Sequence, residues 1–454
     1  MFLLYSLLFS IGVVLSAPYY LWRLRGNIVS GAGWRERFGF LPASFAQAQR
    51  GAIWVHAVSV GETLAVAGLI GELRRRHPER KIFMSHVTPA GRKAGEDRLP
   101  APSLNASEGG VATSRTAAVD GRFYLPLDWA WSTRRAMERI RPALVVIVET
   151  ELWPNLLRVA HESGAQVVVV NARLSDRSFR GYRLARPFMR RVLKCVEGVC
   201  AQTGRDAERF KVLGVPAERV VVTGNIKFDS RPPERGSLAG RLVKALEAAG
   251  RGPVMVAAST MPGEEALVLE AWSAIRQSHP KALLILAPRH PARFEEVAQL
   301  LARAGITFVR RTALEPVAEE LAEQLQSAPV LLLNTIGELA GVFELADVVF
   351  VGGSLVPTGG HNLLEPAFAS KPILFGPHMQ NFRDIAALFL EAGAAVEVQN
   401  ASELARQSLR LLDDSNERGR LGQAAKSLLE SECGATERIL ARLDASLRPG
   451  DATD

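Results

Sequence analysis

Short runs of β-branched and other apolar residues recur along this chain, each followed by a turn and then by a longer stretch of helical periodicity. IWVHAVSV from Ile53, KIFMSHV from Lys81, ALVVIVE at 143–149, QVVVVNA from Gln166 and GVCAQT from Gly198 form one series. PVMVAAS from Pro253, ALLILAP from Ala282, VLLLN from Val330, VVFVGGS from Val348 and PILFGP from Pro372 form a second. A strand with one wet face alternates apolar and polar residues. These runs are continuously apolar, so both faces are covered. Strands of that kind, separated by helices, make a parallel sheet between helical layers. Helices are expected over Gly61–His77, Pro154–Ser163 and Gly263–Gln277.

At 454 residues the chain exceeds one ordinary domain. The pattern breaks at 97–122, which is small, polar and Pro/Gly-bearing and reads as a surface loop. It breaks again at 229–252, after which the α/β alternation restarts. The expected division is therefore an N-terminal membrane anchor at 1–22, a Rossmann-like domain at 23–228, a linker at 229–252, a second Rossmann-like domain at 253–425, and a C-terminal helix and tail at 426–454. Two such domains joined by a linker are expected to face a central cleft.

The anchor rests on residues 1–17, which are almost wholly apolar; the first charged residue is Arg23. As a helix this run approaches the thickness of a hydrocarbon core of about 30 Å. Tyr19, Tyr20 and Trp22 follow, as aromatics do at a membrane interface. Arg23 and Arg25 place the downstream side in the cytoplasm. A cleaved signal peptide fits less well, because no Lys or Arg precedes the apolar run. Burial in a soluble core is the third reading.

Ligands of open parallel sheets bind beyond the carboxyl ends of the strands, so those ends are where chemistry is expected. After VVFVGG comes SLVPTGGHNLLEPA. Its glycines allow close backbone approach, and Asn362 is a fair N-cap for a helix whose free N–H groups would face an anion. Glu365 suits a pair of sugar hydroxyls. The plainer alternative makes Asn362 and Glu365 a capping box. Arg289 follows ALLILAP, Gly337 and Glu338 follow VLLLN, and TMPGEE follows PVMVAAS, so several strand ends of the second half carry Gly and charge. In the first half, Glu62 follows Gly61 as a possible general base or a dipole-complementing acid. Glu149 and Glu151 end another strand, and Lys227 in GNIKFD is either a charge stabiliser or a solvated lysine.

Other classes lose support. The histidines are scattered, no metal-ligand spacing appears, and Cys195, Cys200 and Cys433 form no CxxC pair. There is no Walker motif or GxGxxG. A net charge of +8 favours anionic partners, but few aromatics interleave the basic residues, so nucleic acid is not expected.

In order, HAVSVGET, ETELWPN, NARLSDRS, GNIKFD, APRHP, GGSLVPTGGHNLLEPA and FGPHMQNF resemble the 3-deoxy-D-manno-octulosonic acid (Kdo) transferases of lipopolysaccharide synthesis, over roughly residues 20 to 395. The resemblance implies a GT-B glycosyltransferase anchored at the bacterial inner membrane and active on its cytoplasmic face. It implies inverting transfer of Kdo from CMP-Kdo to the lipid A precursor, lipid IVA, with no cofactor and no metal. It makes Glu62 the general base and assigns Glu149 and Lys227 to transition-state stabilisation. It places CMP at Pro288, Arg289, Ile336, Gly337, Glu338, Asn362, Leu363, Leu364 and Glu365. One departure is Asn334, where the family usually has Asp. Two rival readings stand beside it: another GT-B enzyme such as a nucleotide-sugar epimerase, and a non-catalytic protein that binds anionic lipid.

Overall fold

A computed structural model of the chain describes residues 1–23, 31–47, 50–100, 117–230, 237–314 and 318–448. The chain divides into two units, Met1–Ser230 with Cys433–Asp454, and Arg231–Glu432. The first unit is built on strands β1 (Ala52–His56), β2 (Ile82–His86), β3 (Gly121–Tyr124), β4 (Pro142–Val148), β5 (Gln166–Ala172), β6 (Gly198–Ala201) and β7 (Val220–Val222). Their spatial order is β3-β2-β1-β4-β5-β6-β7, with every neighbouring pair parallel.

The continuous apolar runs are explained by where alternate side chains go. Trp54, Phe83, Val145, Ile147, Val167 and Val169 pack into one cluster. Ile53, Val55, Ile82, Leu144, Val146 and Val168 pack into another. Successive Cβ atoms of a strand point to opposite faces, so the two clusters are the two sides of the sheet. Each fully buried Val, Leu or Ile adds about 1.5–3 kcal/mol. The second cluster also takes Ile439, Leu440 and Leu443 from the helix Ala435–Leu447. Asp229 tethers the start of that helix, accepting from the Gly434 N–H at 2.6 Å and from the Thr436 N–H. The segment expected as a tail at 426–454 is thus divided, and its last helix covers the first unit's sheet.

The second unit repeats the design with β8 (Val254–Thr260), β9 (Leu283–Pro288), β10 (Phe308–Arg310), β11 (Val330–Leu332), β12 (Val348–Val351), β13 (Ile373–Phe375) and β14 (Ala395–Glu397). The order is β10-β11-β9-β8-β12-β13-β14, again all parallel. The stretch expected as a linker at 229–252 holds the helix Ser237–Ala248, which belongs to this unit. The helix expected over Gly61–His77 is two helices, Val60–Ala65 and Ala67–Arg76. Most of the 97–122 loop lies outside the described residues.

The N-terminal helix spans Phe2–Arg23. One side of its first turns is fastened to the first unit. The Tyr5 hydroxyl donates to Asp128 at 2.9 Å, Ser6 Oγ accepts from Asn155 Nδ2 at 3.0 Å, and Ser10 Oγ accepts from Trp129 Nε1 at 2.8 Å. Phe2 and Tyr5 meet Phe188, and Phe9 meets Trp129. Leu3, Leu4, Leu7, Leu8, Ile11, Val14 and Leu15 are exposed. The expected anchor therefore forms as a helix, yet among the described residues no helix is long and apolar enough to cross a membrane.

Candidate functional site

Each sheet has a switch point, where the chain leaves two neighbouring strands in opposite directions, and such a point opens a crevice at the carboxyl ends of those strands. In the first unit those strands are β1 and β4. The segment after β1 carries Glu62, and the segment after β4 carries Glu149 and Glu151. In the second unit the switch lies between β8 and β12. The loops after β11, β9, β8 and β12, four consecutive strands of that sheet, carry Gly337–Glu338, Arg289, Glu264 and the glycine segment 352–362 respectively.

Glu62 is set by a local motif. Ser59 caps the helix Val60–Ala65, its Oγ accepting from the Glu62 N–H. The Glu62 carboxylate turns back, Oε1 accepting from Ser59 Oγ at 2.9 Å and Oε2 from the Val58 N–H at 2.7 Å. This is a capping box with a functional option. Both oxygens are oriented, and each keeps lone-pair capacity. The side chain is 9% exposed. Burial pushes its pKa up; the hydrogen bonds from Val58 and Ser59 oppose that rise, and the Glu149 charge adds to it.

Glu149 ends β4 in a left-handed conformation, φ 57, with its N–H on the Val170 carbonyl at 2.9 Å. A non-glycine residue held at positive φ at a strand end marks stored strain of the kind found at working sites. Lys227 Nζ stands 4.0 Å from Glu149 Oε1, and both side chains are about one-fifth exposed. Lys227 is placed by Asn225 Oδ1, which accepts its N–H at 3.0 Å, and by the buried Asn171, whose Oδ1 accepts from the Ile226 N–H at 3.1 Å. Glu62, Glu149 and Lys227 thus belong to one unit, and the two glutamates stand at its switch point.

In the second unit Pro288 closes β9, and the Arg289 N–H bonds the Thr260 carbonyl at 3.0 Å. Gly337 takes φ 87, Ile336 is exposed, and Glu338 accepts from Arg311 at 2.7 Å and from Thr335. Asn334 is occupied with Thr312, accepting from its N–H at 3.0 Å and donating to its Oγ1 at 2.8 Å. An aspartate there could keep both contacts, accepting from the Thr312 N–H and from its hydroxyl. The helix expected from Asn362 spans only Leu364–Phe368. Leu363 precedes it without a side-chain cap, so no long dipole starts at Asn362. Asn362 instead accepts from the Leu364 N–H at 3.1 Å and donates to Glu365 at 3.2 Å. His361 packs against Gly353, where any Cβ would meet the ring at 2.8 Å. Burial, then the Arg289 and His290 charges, push His361 down to about 4, so it is neutral at physiological pH.

Glu264, in the TMPGEE stretch after β8, has a role that its sequence position does not reveal. It is fully buried, and its carboxylate accepts N–H bonds from Gly353 at 2.6 Å, Ser354 at 3.0 Å, Leu355 at 2.9 Å and Met261 at 3.2 Å. It fixes the start of the glycine segment. Next to it, Glu265 receives a two-pronged bond from Arg293 at 2.6 and 3.0 Å. The available signal was a Gly followed by two acids after a strand. Among the described residues no group of three or more His, Cys, Asp or Glu side chains is arranged to hold a metal ion.

Comparison with known proteins bears on the whole chain. A family model described as 3-deoxy-D-manno-octulosonic-acid transferase (kdotransferase) matches residues 32–230. The 3-deoxy-D-manno-octulosonic acid transferase of Bordetella pertussis is 35% identical over 435 residues, 94% of this chain and 95% of that one. The Haemophilus influenzae enzyme of the same name is 33% identical over 406 residues, 89% of each chain. Among solved structures, a UDP-GlcNAc 2-epimerase from Neisseria meningitidis bound to UDP-GlcNAc aligns with a TM-score of 0.52 at 13% identity, over 87% of this chain and 100% of that one. At that identity the likeness shows the fold alone: two parallel-sheet α/β units of the GT-B type.

Proposed function

This chain belongs to the 3-deoxy-D-manno-octulosonic acid (Kdo) transferase family, and from that premise we propose that Glu62 is the general base of the transfer. The protein is a glycosyltransferase that moves Kdo in lipopolysaccharide synthesis. In our reading the donor is CMP-Kdo and the acceptor is a glucosamine hydroxyl of the lipid A precursor, lipid IVA. Glu62 takes the proton as the acceptor oxygen bonds to the anomeric carbon of Kdo. The bond from that carbon to the phosphate oxygen breaks, and its electron pair leaves with CMP. A single displacement of this kind inverts the centre. The observation that carries the assignment is the buried Glu62 carboxylate at the β1/β4 switch point, aimed by Val58 and Ser59.

The other roles follow from charge. In the second unit Arg289 offsets the negative charge gathering on the leaving phosphate; in the first, Glu149 and Lys227, 4.0 Å apart, stabilise the transition state. Pro288, Ile336–Glu338 and Asn362–Glu365 line the nucleotide, with Glu365 on the ribose hydroxyls. The reading calls on no metal ion or cofactor. The enzyme works at the cytoplasmic face of the inner membrane, attached through the N-terminal helix. The exposed leucines of that helix support attachment along the bilayer surface. A single pass across the bilayer would have to strip Tyr5, Ser6 and Ser10 of Asp128, Asn155 and Trp129.

The test is to incubate the purified full chain with CMP-Kdo and tetra-acylated lipid A precursor and to weigh the lipid product. Addition of Kdo is expected. No mass gain, or turnover of UDP-GlcNAc instead, contradicts the reading.

A further inference from the structure

The GNIKFD stretch supplies Lys227 to the roles above and leaves its aspartate, Asp229, without one. The stretch folds into one tight turn after β7, Ile226–Asp229. The backbone of Lys227 is held on both sides. Its N–H donates to Asn225 Oδ1 at 3.0 Å, and its carbonyl accepts from the Ser230 N–H at 3.2 Å and from Ser230 Oγ at 2.6 Å. Ile226 and Phe228, on either side of it, are buried. The far end of the turn is fixed by a segment remote in sequence. The chain leaves this unit after Ser230 and re-enters it at Cys433. Asp229 ties the two passages together. One carboxylate oxygen accepts from the Gly434 N–H at 2.6 Å, and the other accepts from the Thr436 N–H. Cys433 Sγ donates to the Phe228 carbonyl at 3.4 Å.

The tie is a helix cap supplied from a distance. The helix Ala435–Leu447 starts at Gly434, φ 93, which has no side chain to satisfy the first N–H groups. Asp229 satisfies two of them from another part of the chain, and its carboxylate faces the positive end of the helix. The helix is itself fastened to the body of the unit. Arg438 Nε donates to the Thr223 carbonyl at 2.8 Å, Asp444 accepts from Arg76 at 2.8 Å, and Ile439, Leu440 and Leu443 pack against the sheet. The turn that carries Lys227 is therefore braced, through one carboxylate, against an anchored helix. All of these groups belong to the first unit.

We propose that Asp229 is a positioning residue for the transfer. By capping the last helix it holds the turn that keeps Lys227 beside Glu149, 4.0 Å away. The inference rests on the reading of Lys227 given above. Misplacing a charged group by about 1 Å at a reacting centre costs up to about a hundredfold in rate.

The test is a double-mutant cycle on the full chain, with Kdo transfer as the rate and CMP affinity read by calorimetry. Asp229→Ala is expected to lower kcat about tenfold while KM and CMP affinity stay within about threefold, the mark of an interaction made only in the transition state. Lys227→Ala is expected to be slower still. In the Lys227→Ala background, Asp229→Ala is expected to cost less than about twofold more, because the group it positions is gone. A merely structural cap would slow the enzyme by the same factor with or without Lys227, and that additivity overturns the proposal. Asp229→Ala at the wild-type rate overturns it too. Should Asp229→Ala not fold, Asp229→Asn keeps one acceptor oxygen at nearly the same volume, and the same cycle is read with it. Lys227→Ala at the wild-type rate defeats the reading of Lys227 itself. That outcome is distinct from an Asp229 variant that is silent, or additive, in an enzyme that needs Lys227.

Discussion

Glu62 and Glu264 are both buried carboxylates tied back to backbone N–H groups, and the difference between them is what remains available. Glu62 receives one N–H and one O–H and keeps capacity for a substrate proton. Glu264 receives four N–H bonds and serves as the mould for the glycine segment. Glu264→Ala leaves those donors unsatisfied at about 1–3 kcal/mol each. It is expected to lower the unfolding free energy of the second unit by at least about 3 kcal/mol and to weaken CMP binding, as read by denaturant titration and calorimetry. Unchanged stability and CMP affinity would contradict that role. In the sequence, the spacing around Glu62 leaves a general base and a dipole-complementing acid both open, and only the family resemblance chooses the base. Glu264 stands out as part of a charged strand end, but its part in shaping the glycine segment does not, because its partner Gly353 is 89 residues away. No local spacing reports such a contact.

At the level of elements, the strands that went unseen in the sequence are β3, β7, β10 and β14, the edges of both sheets. Interior strands need apolar residues on both faces and so announce themselves; edge strands do not. Val221 and Val222 of β7 are exposed, and β10 is only half-buried. The helix expected from Asn362 failed for a different reason: Asn362 spends its side chain on Leu364 and Glu365, and only one short turn follows. The N-terminal helix was legible as apolar, but its partition into a docked face and a bare face depends on Asp128, Trp129, Asn155 and Phe188. Its bare face makes a prediction. Leu4→Glu with Leu8→Glu is expected to abolish co-flotation with anionic vesicles and leave the melting temperature within about 2 °C, because exposed substitutions cost little. Full co-flotation of the double variant would sink the attachment.

For the whole molecule, two parallel-sheet α/β units were readable because each series of apolar runs restarts after a break. A return of the helical stretch 402–445 across the join is readable as a possibility, and the helix Ala435–Leu447 is the part that makes it. Helical periodicity shows that Ile439, Leu440 and Leu443 share an apolar face, but not which sheet receives it. The proposed division of labour, a base in the first unit and a nucleotide site in the second, can be tested by separating binding from turnover. The direct measurement is CMP affinity and Kdo transfer side by side for wild type and Glu62→Gln. The account predicts CMP affinity unchanged within about threefold and transfer reduced by about 10²–10⁴-fold, the usual share of a general base. Transfer by Glu62→Gln at the wild-type rate would contradict it.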